Sequence, residues 1–327
     1  MLQLLAGPAP NASFRVAPEP FGIVRGPDAA VYFTDVSNHQ IFRIDEPHNT
    51  IDAVVGNGDE GSAGDGGHAT NATLRQPYEL RFADNGDLVF VDMTAHVIRR
   101  VDASSRVIQT IAGTGTDGFS GDGGPATQAA LFRPHSIEFD ANGLLYIADI
   151  GNHRVRRINA NETIDTIAGT GEEAPTTIGA PVDGNAFFGP RAVAFEPDGA
   201  MILVLREGNA IYRLSADRSR VFHVAGTGEK GYAGDGGSAV SAMLSGPKGL
   251  TLAPDGSIII ADTESHTIRK IAPDATITTL AGNGEAGDSL DPSKACLNRP
   301  HGVFVEPSGN VLIGDSDNRR VLRLVVD

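Results

Sequence analysis

Apolar residues recur in short alternating bursts, such as Ile137/Phe139, Leu250/Leu252 and Val303/Val305. A period of two is the signature of strands rather than helices. Between the bursts stand Asn85-Gly86, Asn142-Gly143, Asp198-Gly199, Asp255-Gly256 and Gly309-Asn310, dipeptides favoured by tight hairpins. A further apolar run ends each unit on a small pair: Val55-Gly56, Ala112-Gly113, Ala168-Gly169, Ala225-Gly226 and Ala281-Gly282. The pattern predicts four short strands per unit and no helical linker.

Six prolines set the period. Pro20, Pro77, Pro134, Pro190, Pro247 and Pro300 lie 57, 57, 56, 57 and 53 residues apart. The third unit shows the repeated phrase most fully: Pro134-His135-Ser136-Ile137-Glu138-Phe139, the turn Asp140–Gly143, Tyr146-Ile147-Ala148-Asp149, then Asn152-His153-Arg154-Val155-Arg156-Arg157-Ile158. Self-similarity at such a period marks a repeat architecture. Six units of four strands predict an all-β, six-bladed β-propeller.

The ends of the chain support a closed ring. The sixth unit stops at Leu324–Asp327, before its final strand, and the absent phrase stands at the start as Leu4-Leu5-Ala6-Gly7. The N-terminal strand is expected to complete the last blade and so remove exposed strand edges. Met1–Ala12 has neither a basic start nor a long apolar stretch, unlike a secretory leader. Residues 1–327 are read as one propeller domain.

Composition narrows the function. Hydrophobic residues make up 40%, with 40 glycines and no tryptophan, and no run is apolar enough to suggest a membrane span. The formal charge of −15 argues against nucleic acid as a partner. One cysteine, Cys296, excludes an intrachain disulfide and suits a reducing, cytoplasmic setting. Asn11-Ala12-Ser13, Asn71-Ala72-Thr73 and Asn161-Glu162-Thr163 match glycan acceptors, of consequence only in a secreted chain.

The phrase Asp149…Asn152-His153-Arg154-Val155-Arg156 resembles the NHL repeat family, with partial copies at Asp35…Asn38-His39, Asp92…His96, Asp262…His266 and Asp315…Asn318-Arg319. The loops Gly64-Asp65-Gly66-Gly67, Gly121-Asp122-Gly123-Gly124 and Gly234-Asp235-Gly236-Gly237 are also similar to NHL arrays of bacterial proteins and teneurins. The resemblance spans the chain and implies a fold rather than an activity, since NHL-like propellers include lyases, lactonase relatives and plain binding modules.

The repeated polar residues read as scaffold. Asp35, Asp92, Asp149, Asp262 and Asp315 are expected to accept backbone N–H bonds from their own loops, and His39, His96, His153 and His266 to be structural. The Gly-Asp-Gly-Gly loops read as tight turns, with Ca²⁺ binding as the alternative.

The positions that vary within this frame are more informative. The residue after each ruler proline opens the innermost strand, giving Phe21, Tyr78, His135, Arg191, Lys248 and His301 around one channel mouth. Unit four departs further: Leu205 replaces the Asp, Asn209 the His, and Arg206-Glu207 enter the same loop. The connectors Glu172–Gly189 and Glu285–Arg299 have lost Gly-Asp-Gly-Gly.

These residues suggest an enzyme for a small anionic substrate. Arg191, Lys248 and Arg206 would bind its charge beside Phe21. His135 and His301 would act as general acid and base near neutral pH, with Tyr78 as proton donor and Glu79 and Glu207 as further bases. Pro134-His135 and Pro300-His301 resemble the zinc-binding Pro-His phrases of peptidyl-hydroxyglycine amidating lyase, although a third ring histidine is absent. A divalent metal, zinc or calcium, stays open, and no organic cofactor is expected. Similarity to streptogramin lyases and gluconolactonases implies β-elimination or lactone chemistry. The lactonases' metal-binding carboxylate and amides are absent from the ring, which ranks lyase above hydrolase. The alternative is a non-catalytic module gripping a peptide or protein partner.

Overall fold

The computed structural model describes residues 1–7, 18–48 and 50–326; the Asn11-Ala12-Ser13 motif lies outside them. Six four-stranded antiparallel sheets are arranged as blades, and five take their strands in chain order. The first strands, Pro20–Arg25, Pro77–Phe82, Ser136–Phe139, Pro190–Phe195, Pro247–Leu252 and Pro300–Val305, pack against one another around the central channel. The sixth blade takes its outer strand from Leu2–Ala6, which pairs antiparallel with Arg320–Leu324 in the register Leu2↔Leu324, Gln3↔Arg323 and Leu4↔Leu322. The ring is closed by its N-terminal strand. No helix among the described residues is long and apolar enough to cross a membrane.

The core lies between blades, where alternate residues of facing sheets interdigitate. Ala192, Ile202, Val204 and Ile211 of blade four meet Leu250, Ile258 and Ile260 of blade five in one buried cluster. The small pair ending each blade has a steric cause. Gly169 has φ +94°, and a Cβ there would meet the His153 carbonyl oxygen at 2.2 Å; Gly113, Gly226 and Gly282 stand in the same relation to His96, Asn209 and His266. Only glycine fits where the outer strand crosses that carbonyl.

The repeated histidines join neighbouring blades. His96, His153 and His266 have φ between 52° and 59°, the left-handed turn that reverses the chain into the third strand. Each accepts an N–H from the next blade's entry at Nδ1: from Arg133 at 3.0 Å, Gly189 at 3.2 Å and Arg299 at 3.1 Å. In blade four Asn209 Oδ1 does the same for Gly246 N at 2.9 Å. His39 differs, its Nδ1 lying 2.6 Å from the Arg75 carbonyl oxygen.

The repeated aspartates also tie blades to their entries, which corrects the expectation that their own loops supply the amides. Asp92 accepts from Arg75 N and Gln76 N, and Asp149, Asp262 and Asp315 accept from Phe132 N, Ser245 N and Asn298 N at 2.7 Å each. Asp35 alone combines an entry amide, Glu19 N, with one from its own loop, Asn38 N. The register explains this. Pro77 pairs with Asp92, Pro247 with Asp262 and Pro300 with Asp315. The amides just ahead of each proline have no strand partner, and the carboxylate supplies one.

The Gly-Asp-Gly-Gly aspartates are held by arginines rather than arranged for calcium. Arg99, Arg156 and Arg269 are completely buried, and each donates to the Asp of the connector entering its blade: Asp65 at 2.7 Å, Asp122 at 2.7 Å and Asp235 at 2.6 Å. Blades without the motif carry Phe42, Tyr212 and Leu322 at the arginine's place in the register. Motif and arginine are kept or lost together. In the connector before blade four, buried Asn185 substitutes by bonding Thr177 and Pro181.

Candidate functional site

The six ring positions face one another because they occupy equivalent places on six first strands. A cavity of about 620 Å³ opens above them, lined by Phe21, Tyr78, His135, Arg191, Lys248 and His301 together with Arg206 and Glu207. The five polar members are all nearly buried. Phe21 stacks on His301 with ring centroids 3.9 Å apart and meets Tyr78 edge-on at 4.6 Å. Tyr78 in turn meets His135 at 4.7 Å.

Charge on this floor is unevenly matched. Arg191 is 4% exposed. It donates to the Tyr78 hydroxyl and stacks over its ring, with the guanidinium carbon 4.6 Å from the centroid. No carboxylate lies within ion-pair distance of it among the described residues. Lys248 Nζ lies 2.9 Å from His301 Nε2 and 3.2 Å from Glu264 Oε1, and Arg299 donates to the same Glu264 oxygen at 2.9 Å. At the rim Arg206 donates to Glu207 Oε1 at 2.6 Å, leaving Glu207 Oε2 buried without a partner.

Both ring histidines are neutral, which corrects the expectation of titration near neutrality. Burial, reinforced by Arg191, pulls His135 well below the usual imidazole range; burial and Lys248 do the same for His301. Their tautomers follow from their partners. His135 Nδ1 lies 2.7 Å from the Arg133 carbonyl and His301 Nδ1 lies 2.9 Å from that of Arg299. A carbonyl only accepts, so both Nδ1 atoms carry hydrogen and both Nε2 atoms hold a lone pair, that of His301 facing Lys248. Burial raises the Tyr78 pKa and keeps the phenol protonated.

Glu79 is not brought to the mouth. It lies beneath the ring, where Arg81 donates to it at 2.7 Å, and burial raises its pKa. Nor do the donors suit a metal. No group of three His, Cys, Asp or Glu that could hold an ion occurs among the described residues. The His301 lone pair faces the Lys248 ammonium, and Arg191 adds positive charge where a divalent cation would need negative ligands.

The structure adds site residues that were not singled out. Arg133 and Arg299, the residues just before two ruler prolines, form a second tier on the wall. Glu264 stands two residues after Asp262, as Glu207 stands two after Leu205. Aligning the repeats at those two further positions would have found all three.

The NHL repeat model matches residues 244–271, within blade five and its entry. SUPPRESSOR OF QUENCHING 1 of Arabidopsis thaliana, a protein named as chloroplastic, is 28% identical over 87% of this chain and 29% of its own length. NHL repeat-containing protein 2 of Bos taurus is 24% identical over 72% of this chain and 37% of its own. The chain therefore spans about a third of these relatives. Among solved structures, a streptogramin B lyase superposes with a TM-score of 0.59 at 17% identity, covering 100% of this chain and 98% of that one. A putative gluconolactonase does so at 0.60 and 14%, covering 98% and 90%; at such identities the likeness is one of fold. Matched repeat, relatives and closed ring together make the chain a six-bladed β-propeller that carries an NHL repeat and is similar to NHL repeat-containing proteins.

Proposed function

We propose that residues 1–327 form one catalytic propeller whose mouth binds a small carboxylate and acts on it by proton transfer, as a lyase in preference to a lactone hydrolase. The observation that carries this is Arg191. A guanidinium has five donors, and this one, nearly buried, uses a single neutral hydroxyl. Burying an uncompensated cation is costly, and a substrate carboxylate held in bidentate fashion would supply the missing charge. Lys248 and Arg206 reinforce the attraction, and Phe21 gives the substrate an apolar wall.

The remaining groups suit β-elimination. His135 Nε2 is an unprotonated base able to take the proton next to a carbonyl. The Tyr78 phenol, polarised by Arg191, would donate to the developing enolate oxygen. Glu207, whose side chain lines the cavity, would serve the departing group. A free, buried thiol at Cys296 accords with a cytoplasmic enzyme.

Calorimetric titration with pyruvate, malate and citrate tests the reading, with turnover followed by the ultraviolet absorbance of a new conjugated double bond. Binding should weaken by about tenfold or more in Arg191→Met, the loss of one charged bidentate contact. Equal binding by that variant, or no binding of any of the three, overturns it. A second reading, a propeller that grips a protein partner, draws on relatives in which the matched region is a minor share of a longer chain.

A further inference from the structure

Lys248 carries chemistry beyond holding a negative charge. Its side chain is 5% exposed, and its amine faces a proton acceptor, since His301 Nε2 holds a lone pair 2.9 Å away. The one carboxylate beside it, Glu264, shares the same oxygen with Arg299, so its charge is divided between two cations. Arg191 occupies the equivalent position on the neighbouring blade and opposes a positive charge on Lys248. Burial and that neighbouring cation bring the Lys248 pKa down to about 7. A desolvated lysine beside another cation, in an accessible cavity, is a nucleophile.

We propose that Lys248 forms an imine with the carbonyl carbon of a small oxo acid whose carboxylate rests on Arg191. The inference relies on the cavity being a carboxylate site and narrows the substrate class to oxo acids. In the first step His301 Nε2 takes one proton from the Lys248 ammonium, and the freed amine attacks the carbonyl carbon. The carbonyl oxygen becomes the hydroxyl of a carbinolamine by taking the second nitrogen proton. The proton held on His301 then returns to that hydroxyl, which leaves as water as the C=N bond forms. Ammonium plus carbonyl thus gives iminium plus water, with charge conserved. The iminium withdraws electrons from the adjacent carbon and makes its proton easier for His135 to remove.

The test is trapping by hydride. Protein is incubated with pyruvate or acetoacetate, reduced with sodium borohydride, digested and mapped by mass spectrometry. Borohydride delivers hydride to the iminium carbon and fixes a secondary amine, which for pyruvate is a carboxyethyl group on nitrogen. The chain has four lysines, Lys230, Lys248, Lys270 and Lys294, so the map is simple. The expected result is modification of Lys248 with either oxo acid, at least about tenfold above each other lysine, reduced in Arg191→Met and absent from Lys248→Arg. Modification spread equally over the lysines, or absent from Lys248 with both oxo acids, overturns the imine. Calorimetry on the same samples separates the two failures: pyruvate that binds without trapping leaves the carboxylate site standing, and pyruvate that does not bind, in company with malate and citrate, removes that site as well.

Discussion

Arg156 Nη2 lies 2.7 Å from Asp122 Oδ1, joining a fully buried guanidinium to a connector 34 residues earlier in the chain. The same guanidinium donates to the Ser120 carbonyl oxygen at 3.1 Å, so a single side chain holds both backbone and carboxylate of the Gly-Asp-Gly-Gly loop. Asp122→Asn should therefore destabilise the protein by about 1–3 kcal/mol, less than the full penalty for a buried pair because Asp122 keeps 41% of its side chain exposed. Denaturant unfolding of the single and double variants checks this. The cost of Asp122→Asn should shrink in an Arg156→Met background, and an unchanged cost would show that the pair does not couple.

Asp149 offers a second measure of the scaffold. Its carboxylate receives Phe132 N and Asn152 Nδ2 in a buried site, so Asp149→Ala should cost about 1–3 kcal/mol by orphaning those donors. Burial raises its pKa to about 6 from an ordinary value of 3.8. A raised carboxyl contributes stability that is fully present below the unfolded pKa and is lost as pH rises through the folded one. The advantage of Asp149 over Asn should then be greatest near pH 4 and smaller above about pH 6. Thermal melts of Asp149→Asn beside the parent protein across that window decide it, and an advantage growing with pH would contradict the assignment.

Ring closure rests on Leu2–Ala6. Deleting Met1–Ala6 exposes the edge of Arg320–Leu324 and uncovers Val311 and Leu322, which pack with Leu2 in one cluster. The melting temperature should fall by roughly 5 °C or more, as expected for losing about 3 kcal/mol or more in a protein of this size. An unchanged melt would show that closure contributes nothing.

The mouth has its own pH signature. The Lys248 pKa is pulled down by burial, then by Arg191, with Arg299 and Arg206 adding to it and Glu264 opposing. The rate of adduct formation with pyruvate should rise through about pH 7 and level off above, because the free amine attacks. Arg191→Met should move the midpoint up and Glu264→Gln should move it down. Initial rates of trapping at several pH values measure both shifts, and movement in the opposite sense would assign the titration to another group.

The ring and its closure were legible because they rest on local chemistry. Prolines at one period, Asn-Gly turns and glycines forced by a carbonyl contact leave marks at fixed positions. The ring residues were legible for the same reason, since equivalent places on six strands must face one axis. Glu79 was misplaced because adjacency in sequence reverses direction in a strand: beside Tyr78 in the chain, it points below the ring toward Arg81. The partners of Asp92, Asp149, Asp262 and Asp315 were misassigned because the amides they satisfy belong to segments 16 or 17 residues away, brought near only by strand pairing. The arginines paired with Asp65, Asp122 and Asp235 leave no mark of their burial in the sequence, because arginine in a strand usually faces solvent.

The Arg–Asp pairs brace the connectors entering blades two, three and five, whereas Asn185 holds the one entering blade four through the Thr177 and Pro181 carbonyls, and Arg320 the one entering blade six through those of Asp288 and Cys296. Glu173, Phe188 and Arg299, from the two connectors without an Arg–Asp pair, form part of the wall of the mouth. The rim of the cavity is therefore held by carboxylate pairs along one arc and by bonds to backbone carbonyls along the other. A ligand pressing on the second arc would strain those carbonyl contacts without parting any of the three Arg–Asp pairs.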